Sequence, residues 1–132
     1  MSTPAAATVK GPDAKSYPVL STTKTPGGVT VEEITIGNGK EAKPSSTVVI
    51  HYEGALTNGK VFDSSFKRKE PATFPLNRLI KGWQEGVPGM KAGGVRRLTV
   101  PSNLGYGAGG TPDGSIPPNA TLVFWMQLVD VR

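Results

Sequence analysis

The chain has no cysteine and only one histidine, His51, among its 132 residues. The absence of cysteine excludes disulfide bonds, thiol nucleophiles, thiolate metal sites and iron–sulfur clusters. A histidine zinc centre or a Ser-His-Asp triad would depend on His51 alone, so we expect neither a metal nor a cofactor. No apolar run approaches the ~18 residues of a membrane-spanning helix, so we expect no membrane partner.

Acidic residues are the minority among the charged residues, 10 against 15 lysines and arginines, which gives a net charge of +5. The basic residues are spread along the chain, and their one cluster is Lys-Arg-Lys at residues 67–69. This spread is typical of a solvated surface, so we expect no nucleic-acid partner. The N-terminus carries no apolar segment of the signal-peptide type. We expect a cytoplasmic location, with a periplasmic or secreted one as the alternative if a leader has been removed.

Residues 1–27 are rich in Pro, Ala, Ser, Thr and Lys, and their one apolar island is Tyr-Pro-Val-Leu at residues 17–20. Such a segment buries too little apolar surface to offset the entropy lost on ordering. We predict that residues 1–27 form a flexible tail and that residues 28–132 form one folded domain. Thr-Pro-Gly-Gly at residues 25–28 is a turn sequence that marks the boundary between them.

A β-hairpin is predicted between residues 47 and 64. Thr47–Leu56 alternates apolar and polar residues, and Val61–Ser64 is a second short run of the same kind. Between them lies Asn58-Gly59, a dipeptide that favours a type I′ turn, in which both central residues have positive φ. Upstream, the alternation of valines and isoleucines in residues 29–36 slips at Glu32-Glu33, which indicates a β-bulge or a strand break.

One short helix is predicted, because Leu79, Ile80, Trp83 and Val87 fall at helical spacing and a Pro-Gly pair follows. Further strands are predicted at residues 95–101 and 120–131, and a long Gly- and Pro-rich loop at residues 103–119 separates them. The last strand has a continuous apolar face, formed by Leu122, Phe124, Met126 and Leu128. This order predicts an α+β domain in which an antiparallel sheet wraps around one helix.

The opposite face of the last strand carries Trp125 beside Val123. An outer face that is this apolar suggests a covered surface. We predict that the apolar island at residues 17–20, or a partner, packs on Trp125, and the alternative is that Trp125 is half-exposed.

Six blocks of sequence follow one another through residues 51–124. They are His-Tyr-Glu-Gly at 51–54, Gly-Lys-Val-Phe-Asp-Ser-Ser at 59–65, Leu-Ile-Lys-Gly-Trp-Gln-Glu-Gly-Val at 79–87, Gly-Met-Lys-Ala-Gly at 89–93, Gly-Tyr-Gly at 105–107 and Ile-Pro-Pro-Asn-Ala-Thr-Leu-Val-Phe at 116–124. In this order the blocks closely resemble the FKBP family, the tacrolimus- and rapamycin-binding peptidyl-prolyl cis-trans isomerases. The resemblance covers residues 28–132 and leaves the tail out.

The resemblance implies a five- or six-stranded antiparallel half-barrel around one short α-helix, with a shallow apolar pocket between helix and sheet. It implies an enzyme that accelerates rotation about X–Pro bonds, assists protein folding and binds tacrolimus-type macrolides. The implied catalytic residues are the pocket floor Trp83, the aromatic walls Tyr52, Phe62 and Phe124, the polar Asp63 and the loop hydroxyl of Tyr106. The implied ligand-binding residues are Arg68 as partner of Asp63, Phe74 behind the wall, Leu79 at the rim, Ile80 through its backbone N–H, and Ile116 at the mouth.

The implied partners are proline-containing peptides and proteins together with macrolides, and we expect a monomer. The sequence departs from the family at Ala72, where many members carry an aromatic residue, and in the loop at residues 103–119. Two other functions stay open at this stage. One is a binding module without turnover, and the other is a nucleic-acid binder based on the net charge and the cluster at residues 67–69. The inward-facing aromatic residues argue against the second, because they could not stack on bases.

Overall fold

The computed structural model describes residues 8–132, and the first seven residues of the predicted tail lie outside that range. The strands are β1 (Thr8–Lys10), β2 (Ser16–Pro18), β3 (Ser21–Lys24), β4 (Thr30–Thr35), β5 (Thr47–Leu56), β6 (Val61–Ser64), β7 (Ala72–Pro75), β8 (Val95–Val100) and β9 (Leu122–Val131). The α-helices are α1 (Ser65–Arg68) and α2 (Lys81–Gly86), and short 3₁₀ turns cover Leu76–Arg78, Ser102–Leu104 and Gly107–Gly109. None of the helices in residues 8–132 has the length and apolar character needed to cross a membrane.

Seven of the strands form one open antiparallel sheet in the order β3-β4-β8-β9-β5-β6, and β7 pairs with β5 beside β6. The ten-residue strand β5 pairs with β9 along its length, with β7 through Thr47–Ile50 and with β6 through Glu53–Ala55. A sheet bent in this way surrounds α2, whose residues lie against β8. The predicted fold class is confirmed, with one or two more strands than the five or six expected, because β3 belongs to the predicted tail. The structure also adds the single-turn helix α1 to the one short helix expected.

The core lies between α2 and the inner face of the sheet. Leu122, Phe124, Met126 and Leu128 on β9 are each at most 3% exposed, which confirms the face predicted from their spacing. Complete burial of each such side chain stabilises the fold by about 1.5–3 kcal/mol. Alternation with a period of two therefore fixes which face of β9 carries the pocket wall.

The hairpin between β5 and β6 is confirmed, but its predicted type I′ turn is wrong. Asn58 has a negative φ, whereas Gly59 has a φ of +91°. The Leu56 N–H donates to the Lys60 carbonyl and the Gly59 N–H donates to the Leu56 carbonyl, so the loop has three residues rather than two. This is the common arrangement of a type I turn followed by a left-handed residue, and glycine meets its demand for positive φ.

The predicted bulge in β4 is confirmed as a register shift against β8 between Glu33 and Thr35. The extra residue is Ile34, which is 5% exposed and lies with Tyr17 and Trp125 rather than in the core around α2. Salt bridges join Glu33 to Arg96 and Glu32 to Arg97 across the β4–β8 pair.

The expectation of a flexible tail differs from the structure in residues 8–27. β3 adds to the edge of the sheet beside β4, and β1 and β2 form a separate two-stranded hairpin. The edge of β4 supplies main-chain hydrogen-bond partners whatever the side chains are, so all four residues of β3 pair although all four are exposed. Farther on, the Thr25 hydroxyl and the Gly27 N–H donate to the Glu85 carboxylate of α2.

Trp125 is covered by the N-terminal hairpin, as one of the sequence alternatives predicts. The rings of Tyr17 and Trp125 have centroids 5.1 Å apart and are tilted by 54°, and Trp125 is 9% exposed. A tilted aromatic pair of this kind stabilises by about 0.5–1.5 kcal/mol beyond its buried area. The part of the outer face of β9 around Trp125 is thus covered by the chain itself.

Candidate active site

A cavity of about 310 Å³ opens between α2 and the inner face of the sheet. It is lined by Tyr52, Phe62, Asp63, Phe74, Leu79, Ile80, Trp83, Tyr106 and Phe124. Nine of the eleven residues proposed from the sequence therefore meet around one space. They come from β5, β6, β7, α2, β9, the segment before α2 and the loop after β8, so no single stretch of chain could form the cavity.

Trp83 forms the floor of the cavity and is 4% exposed. Its ring meets Tyr52, Phe124 and Phe74 nearly at right angles, with centroids 5.2, 5.4 and 5.8 Å away. Phe62 meets Phe124 in the same manner at 5.7 Å. Edge-to-face contacts are the favoured geometry of aromatic pairs, so the rings hold each other upright around the indole. The result is a rigid apolar bowl that its own side chains leave open.

Gly54 allows two of these walls to approach β5. A Cβ atom at this position would lie 2.6 Å from Cζ of Phe62 and 2.8 Å from Cε1 of Phe124, which is closer than such atoms pack. Sequence reasoning did not single out this residue. A glycine inside an otherwise regular strand was the available signal, since it marks a close approach from above.

Asp63 is the carboxylate of the cavity, and its charge is shared with two neighbours. The Tyr52 hydroxyl and Nη1 of Arg68 each donate to it at 2.5 Å, and Nη2 of Arg68 donates to the Tyr52 oxygen at 3.0 Å. The Ser64 hydroxyl accepts the Lys67 N–H and so starts α1, the helical turn that carries Arg68 to this position. Arg68 does not line the cavity, but it closes a triangle with two residues that do.

The triangle shifts the ionisation of all three groups. Burial would raise the pKa of Asp63, but the hydrogen bonds from Tyr52 and Arg68 outweigh it and lower that pKa below its ordinary value of 3.8. Burial, followed by the hydrogen bond to Asp63, raises the pKa of Tyr52 above 10.0. The hydrogen bonds to Asp63 and Tyr52 raise the pKa of Arg68. Asp63 is therefore ionised and Tyr52 neutral across the neutral pH range.

Among the described residues, the segment before α2 carries an unpartnered backbone donor in Ile80, a residue that lines the cavity. The N–H of Ile80 donates to no acceptor within residues 8–132, whereas its carbonyl accepts from the Trp83 and Gln84 N–H groups. The Gln84 side chain donates to the Leu79 carbonyl at 2.7 Å and so fixes this segment. The sequence did not identify Gln84, because its role depends on where the fold places its acceptor, the Leu79 carbonyl.

The loop after β8 contributes Tyr106 but not Ile116. Tyr106 is 42% exposed at the cavity, and burial together with the charge of Asp63 raises the pKa of its hydroxyl. Ile116 is 3% exposed within the hydrophobic core and does not line the cavity, although the resemblance implies a place at its mouth. Its backbone is tied to Thr111, whose N–H and hydroxyl bond to the Ile116 carbonyl and N–H. Ile116 anchors the loop from below.

His51 and Ser65 support Tyr52 from behind, a role that the sequence did not indicate. The buried Ser65 hydroxyl accepts the Tyr52 N–H at 2.7 Å and donates to the Tyr52 carbonyl at 3.2 Å. Nδ1 of His51 lies 2.9 Å from the same hydroxyl oxygen, and its ring stacks on Phe66 at 4.8 Å. These contacts fix the backbone of a wall residue to the start of α1.

The arrangement favours binding over covalent chemistry. Among residues 8–132 no three His, Asp or Glu side chains converge in a way that could hold a metal ion. The one carboxylate of the cavity is neutralised by Arg68. The rest of the lining is aromatic or aliphatic, and its donors include the Ile80 N–H, the Tyr106 hydroxyl and the Nε1–H of Trp83, which is unpartnered in the part of the chain that the structure describes. Such a site can take a compact apolar ring onto Trp83 and orient carbonyl groups at its edge.

Comparison of the sequence with protein families matches residues 38–129 to the family described as FKBP-type peptidyl-prolyl cis-trans isomerase. An FK506-binding protein of Neisseria meningitidis serogroup B is 50% identical over 107 residues, which cover 80% of this chain and 97% of that protein. The FKBP-type peptidyl-prolyl cis-trans isomerase FkpA of Escherichia coli K12 is 45% identical over 105 residues, which cover 80% of this chain and 38% of FkpA.

Comparison of the fold gives the same result. The crystal structure of FkpA from Escherichia coli superposes with a TM-score of 0.79 and 42% sequence identity, covering 84% of this chain and 51% of that one. The crystal structure of AtFKBP13 superposes with a TM-score of 0.76 and 35% identity, covering 85% of this chain and 99% of that one.

Proposed function

Because this chain belongs to the FKBP-type peptidyl-prolyl cis-trans isomerase family, we propose that it catalyses X–Pro isomerisation in the cavity above Trp83. The observation that supports this most is the open space over the indole, which five further aromatic residues line and which the side chains of residues 8–132 leave empty. Its volume, about 310 Å³, is at the lower end for ligand sites and suits one proline with its neighbouring peptide groups.

Catalysis of rotation about an X–Pro bond depends on an apolar binding surface more than on a chemically reactive side chain. Rotation about an X–Pro bond must break amide resonance against a barrier of ~18–20 kcal/mol. The planar amide is strongly dipolar and well hydrated, whereas the twisted transition state has lost much of that dipole. An apolar cavity therefore disfavours the planar form more than the twisted one, which is differential binding of the transition state. A ~10⁴-fold acceleration requires only ~5.5 kcal/mol of this difference.

The proposed roles of the residues follow from this chemistry. Trp83 supplies a flat surface for the pyrrolidine ring, and Tyr52, Phe62 and Phe124 exclude water around it. The Ile80 N–H and the Tyr106 hydroxyl orient the substrate carbonyls, which restricts rotation to the X–Pro bond. Asp63 and Arg68 hold the Tyr52 ring upright through the triangle of hydrogen bonds. No proton transfer or covalent intermediate is required.

We also propose that tacrolimus-type macrolides occupy the same cavity. This proposal rests on the names of the relatives, several of which are called FK506-binding proteins, and on the apolar lining of the site. A macrolide that fills the cavity would displace the proline and inhibit the enzyme. Its affinity depends on the contacts made by the loop at residues 103–119 and on the space beside Ala72.

An exchange experiment on a proline peptide tests both proposals. Two-dimensional NMR exchange spectroscopy on acetyl-Ala-Leu-Pro-Phe-amide measures the cis–trans rate with catalytic amounts of the full chain. We expect a large acceleration that one equivalent of tacrolimus abolishes. An unchanged acceleration in the Trp83→Leu variant would contradict the assignment of the cavity, and an acceleration that saturating tacrolimus leaves intact would contradict the macrolide proposal alone.

For the biological setting we propose a monomeric enzyme of the cytoplasm that assists the folding of proline-containing proteins, with a periplasmic or secreted location as the alternative. Slow X–Pro isomerisation limits the folding of many chains, and this makes it a natural target for such an enzyme. Sedimentation equilibrium tests the monomer. Cell fractionation with antibodies to the chain distinguishes the two locations.

A further inference from the structure

Four exposed basic residues are sequence neighbours of the residues that form the Trp83 cavity and its hydrogen-bonded triangle. Arg78 and Lys81 flank the two cavity-lining residues between them, and Lys67 and Lys69 flank Arg68 of the hydrogen-bonded triangle. All four side chains belong to exposed residues, and none forms an ion pair within the part of the chain that the structure describes. We call Lys67, Lys69, Arg78 and Lys81 the cationic rim.

Acidic groups near the mouth do not cancel the rim. Asp63 is already neutralised by Arg68. Glu70 follows Lys69 in the chain, and Asp113 lies on the loop after β8, where its carboxylate accepts from the Ser115 N–H and two hydroxyls. Two carboxylates therefore stand against four cations. Residues 98–131, which include that loop and β9, contain no lysine, arginine or histidine, so the positive charge comes from one part of the mouth.

We propose that the cationic rim makes the enzyme prefer X–Pro segments with acidic residues within about three positions of the proline. This inference rests on the proposed function of the cavity. An extended peptide advances ~3.3–3.6 Å per residue, so a side chain two or three residues from a bound proline lies ~7–11 Å from the cavity. That distance is comparable to the Debye length of ~8 Å at physiological ionic strength. Glutamate or aspartate there would be attracted to the rim, and lysine or arginine would be repelled.

Three peptides of the form acetyl-Xaa-Ala-Leu-Pro-Phe-Xaa-amide test the inference, where both Xaa residues are glutamate, glutamine or lysine. The measured quantity is kcat/KM from NMR exchange spectroscopy on the full chain at low and high salt. We expect the glutamate peptide to exceed the lysine peptide by about fivefold at low ionic strength, because several exposed pairs of this kind contribute modestly each. At ~1 M salt, where the Debye length is ~3 Å, the ratio should approach one.

Matched variants separate the rim from the net charge of the protein. Arg78→Glu with Lys81→Glu should remove or reverse the preference, and Lys67→Gln with Lys69→Gln should reduce it. Lys15→Glu with Lys24→Glu changes the net charge as much as the first pair, but at exposed positions that do not line the cavity, and should leave the ratio unchanged. Thermal melts confirm that each variant is folded, and the second rim pair provides the test if the first fails to fold.

The outcomes distinguish the inference from the function on which it rests. Equal kcat/KM for the two charged peptides, with the glutamine peptide still accelerated, overturns the inference alone. A preference that changes equally in the rim and control variants also overturns it, because net charge would then explain it. If the wild-type chain fails to accelerate the glutamine peptide, the proposed function is contradicted and the inference falls with it.

Discussion

Trp83 and Trp125 are the two tryptophans of the chain, and both are nearly buried, at 4% and 9% exposure. They lie on opposite faces of the same sheet region, because Trp83 contacts Phe124 on the inner face and Trp125 is the next residue of β9. Trp125 is covered by Tyr17 of the N-terminal hairpin. Aromatic rings surround the Trp83 indole, and the indole itself forms the floor of a cavity.

The difference shows that burial alone does not identify a binding site. At Trp125 the chain supplies its own aromatic partner, and the contact adds to the stability of the fold. At Trp83 the neighbouring rings stand perpendicular to the indole and contact each other, so the space above it stays free. Apolar surface that is held rigid and left uncovered is what a ligand can use.

The largest expected effect is the difference in kcat/KM between the two variants in which one tryptophan is replaced by leucine. Trp83→Leu removes the flat floor of the cavity, and we expect kcat/KM for a proline peptide to fall by about a hundredfold or more, a loss of ~2.7 kcal/mol in transition-state binding. Trp125→Leu should change kcat/KM by less than about threefold. NMR exchange spectroscopy on both variants measures the two effects side by side.

Stability is the control for this pair. Trp125→Leu should lower the free energy of unfolding by about 1–3 kcal/mol in urea titrations, because it loses the contact with Tyr17 and buried area. A Trp125 variant that is folded but inactive would show that the outer face takes part in catalysis, and the distinction between the two regions would be lost.

A smaller effect is expected at Gly54, which separates cavity walls from the strand. Gly54→Ala would force its new methyl group against Phe62 and Phe124. Overpacking of this kind should lower the free energy of unfolding by ~1–3 kcal/mol. Displacing the two rings from the cavity wall should also lower kcat/KM, by about tenfold, which corresponds to ~1.4 kcal/mol of transition-state binding. Gly109→Ala is the matched control, because a Cβ there meets nothing within 4 Å. Equal activity of the two variants would mean that the wall spacing does not matter.

Much of the inner face could be predicted from the sequence. The period-two spacing on β9 identified the buried face, and helical spacing from Leu79 to Val87 identified α2, because local patterns of burial determine both. The helix itself covers only Lys81–Gly86, so Leu79 and Ile80 precede it. The site residues came from matched sequence blocks, and nine of the eleven line one cavity. Ile116 does not line the cavity, because a matched sequence block gives the identity of a residue but not how deeply its side chain is buried.

The outer face was harder to predict, for a physical reason. The contact of Tyr17 with Trp125 follows from the apolar island at residues 17–20. The pairing of β1 with β2 does not, because main-chain hydrogen bonds rather than an apolar pattern join these strands. β3 depends on the backbone of β4 rather than on its own side chains. The turn at Asn58 differs from the favoured two-residue form because pairing of Leu56 with Lys60 decides the loop length. Each of these depends on long-range or main-chain contacts that composition does not report.

The contact on the outer face predicts a moderate effect on stability. Tyr17→Ala should lower the free energy of unfolding by about 1 kcal/mol and shift the Trp125 fluorescence to longer wavelength, because the indole becomes hydrated. Tyr17→Phe keeps the ring and should retain most of the stability. Activity should be unchanged in both variants. Unchanged fluorescence in Tyr17→Ala would contradict the packing of the hairpin on Trp125.

The smallest expected effect is the pH dependence that Asp63 adds to stability. Its pKa is lowered in the folded state, so its contribution is present above its ordinary value of 3.8 and is lost as the pH falls through the folded-state pKa. The difference in unfolding free energy between wild type and Asp63→Asn should be constant above about pH 5 and shrink below 3.8. It should stay below about 1 kcal/mol, because the side chain is 42% exposed. A difference that grows towards low pH would contradict the stabilising triangle.

The most direct test of the account follows the two indole N–H signals of the ¹⁵N-labelled chain during titration with acetyl-Ala-Leu-Pro-Phe-amide. Nε1 of Trp83 is buried and bonds to no acceptor within residues 8–132. We therefore expect its N–H signal to shift when the proline ring of the peptide binds above the indole. The Trp83→Leu variant assigns the two signals. The account predicts that the Trp83 signal shifts with saturation while the Trp125 signal stays fixed. A saturating shift of Trp125 with Trp83 unmoved would contradict it.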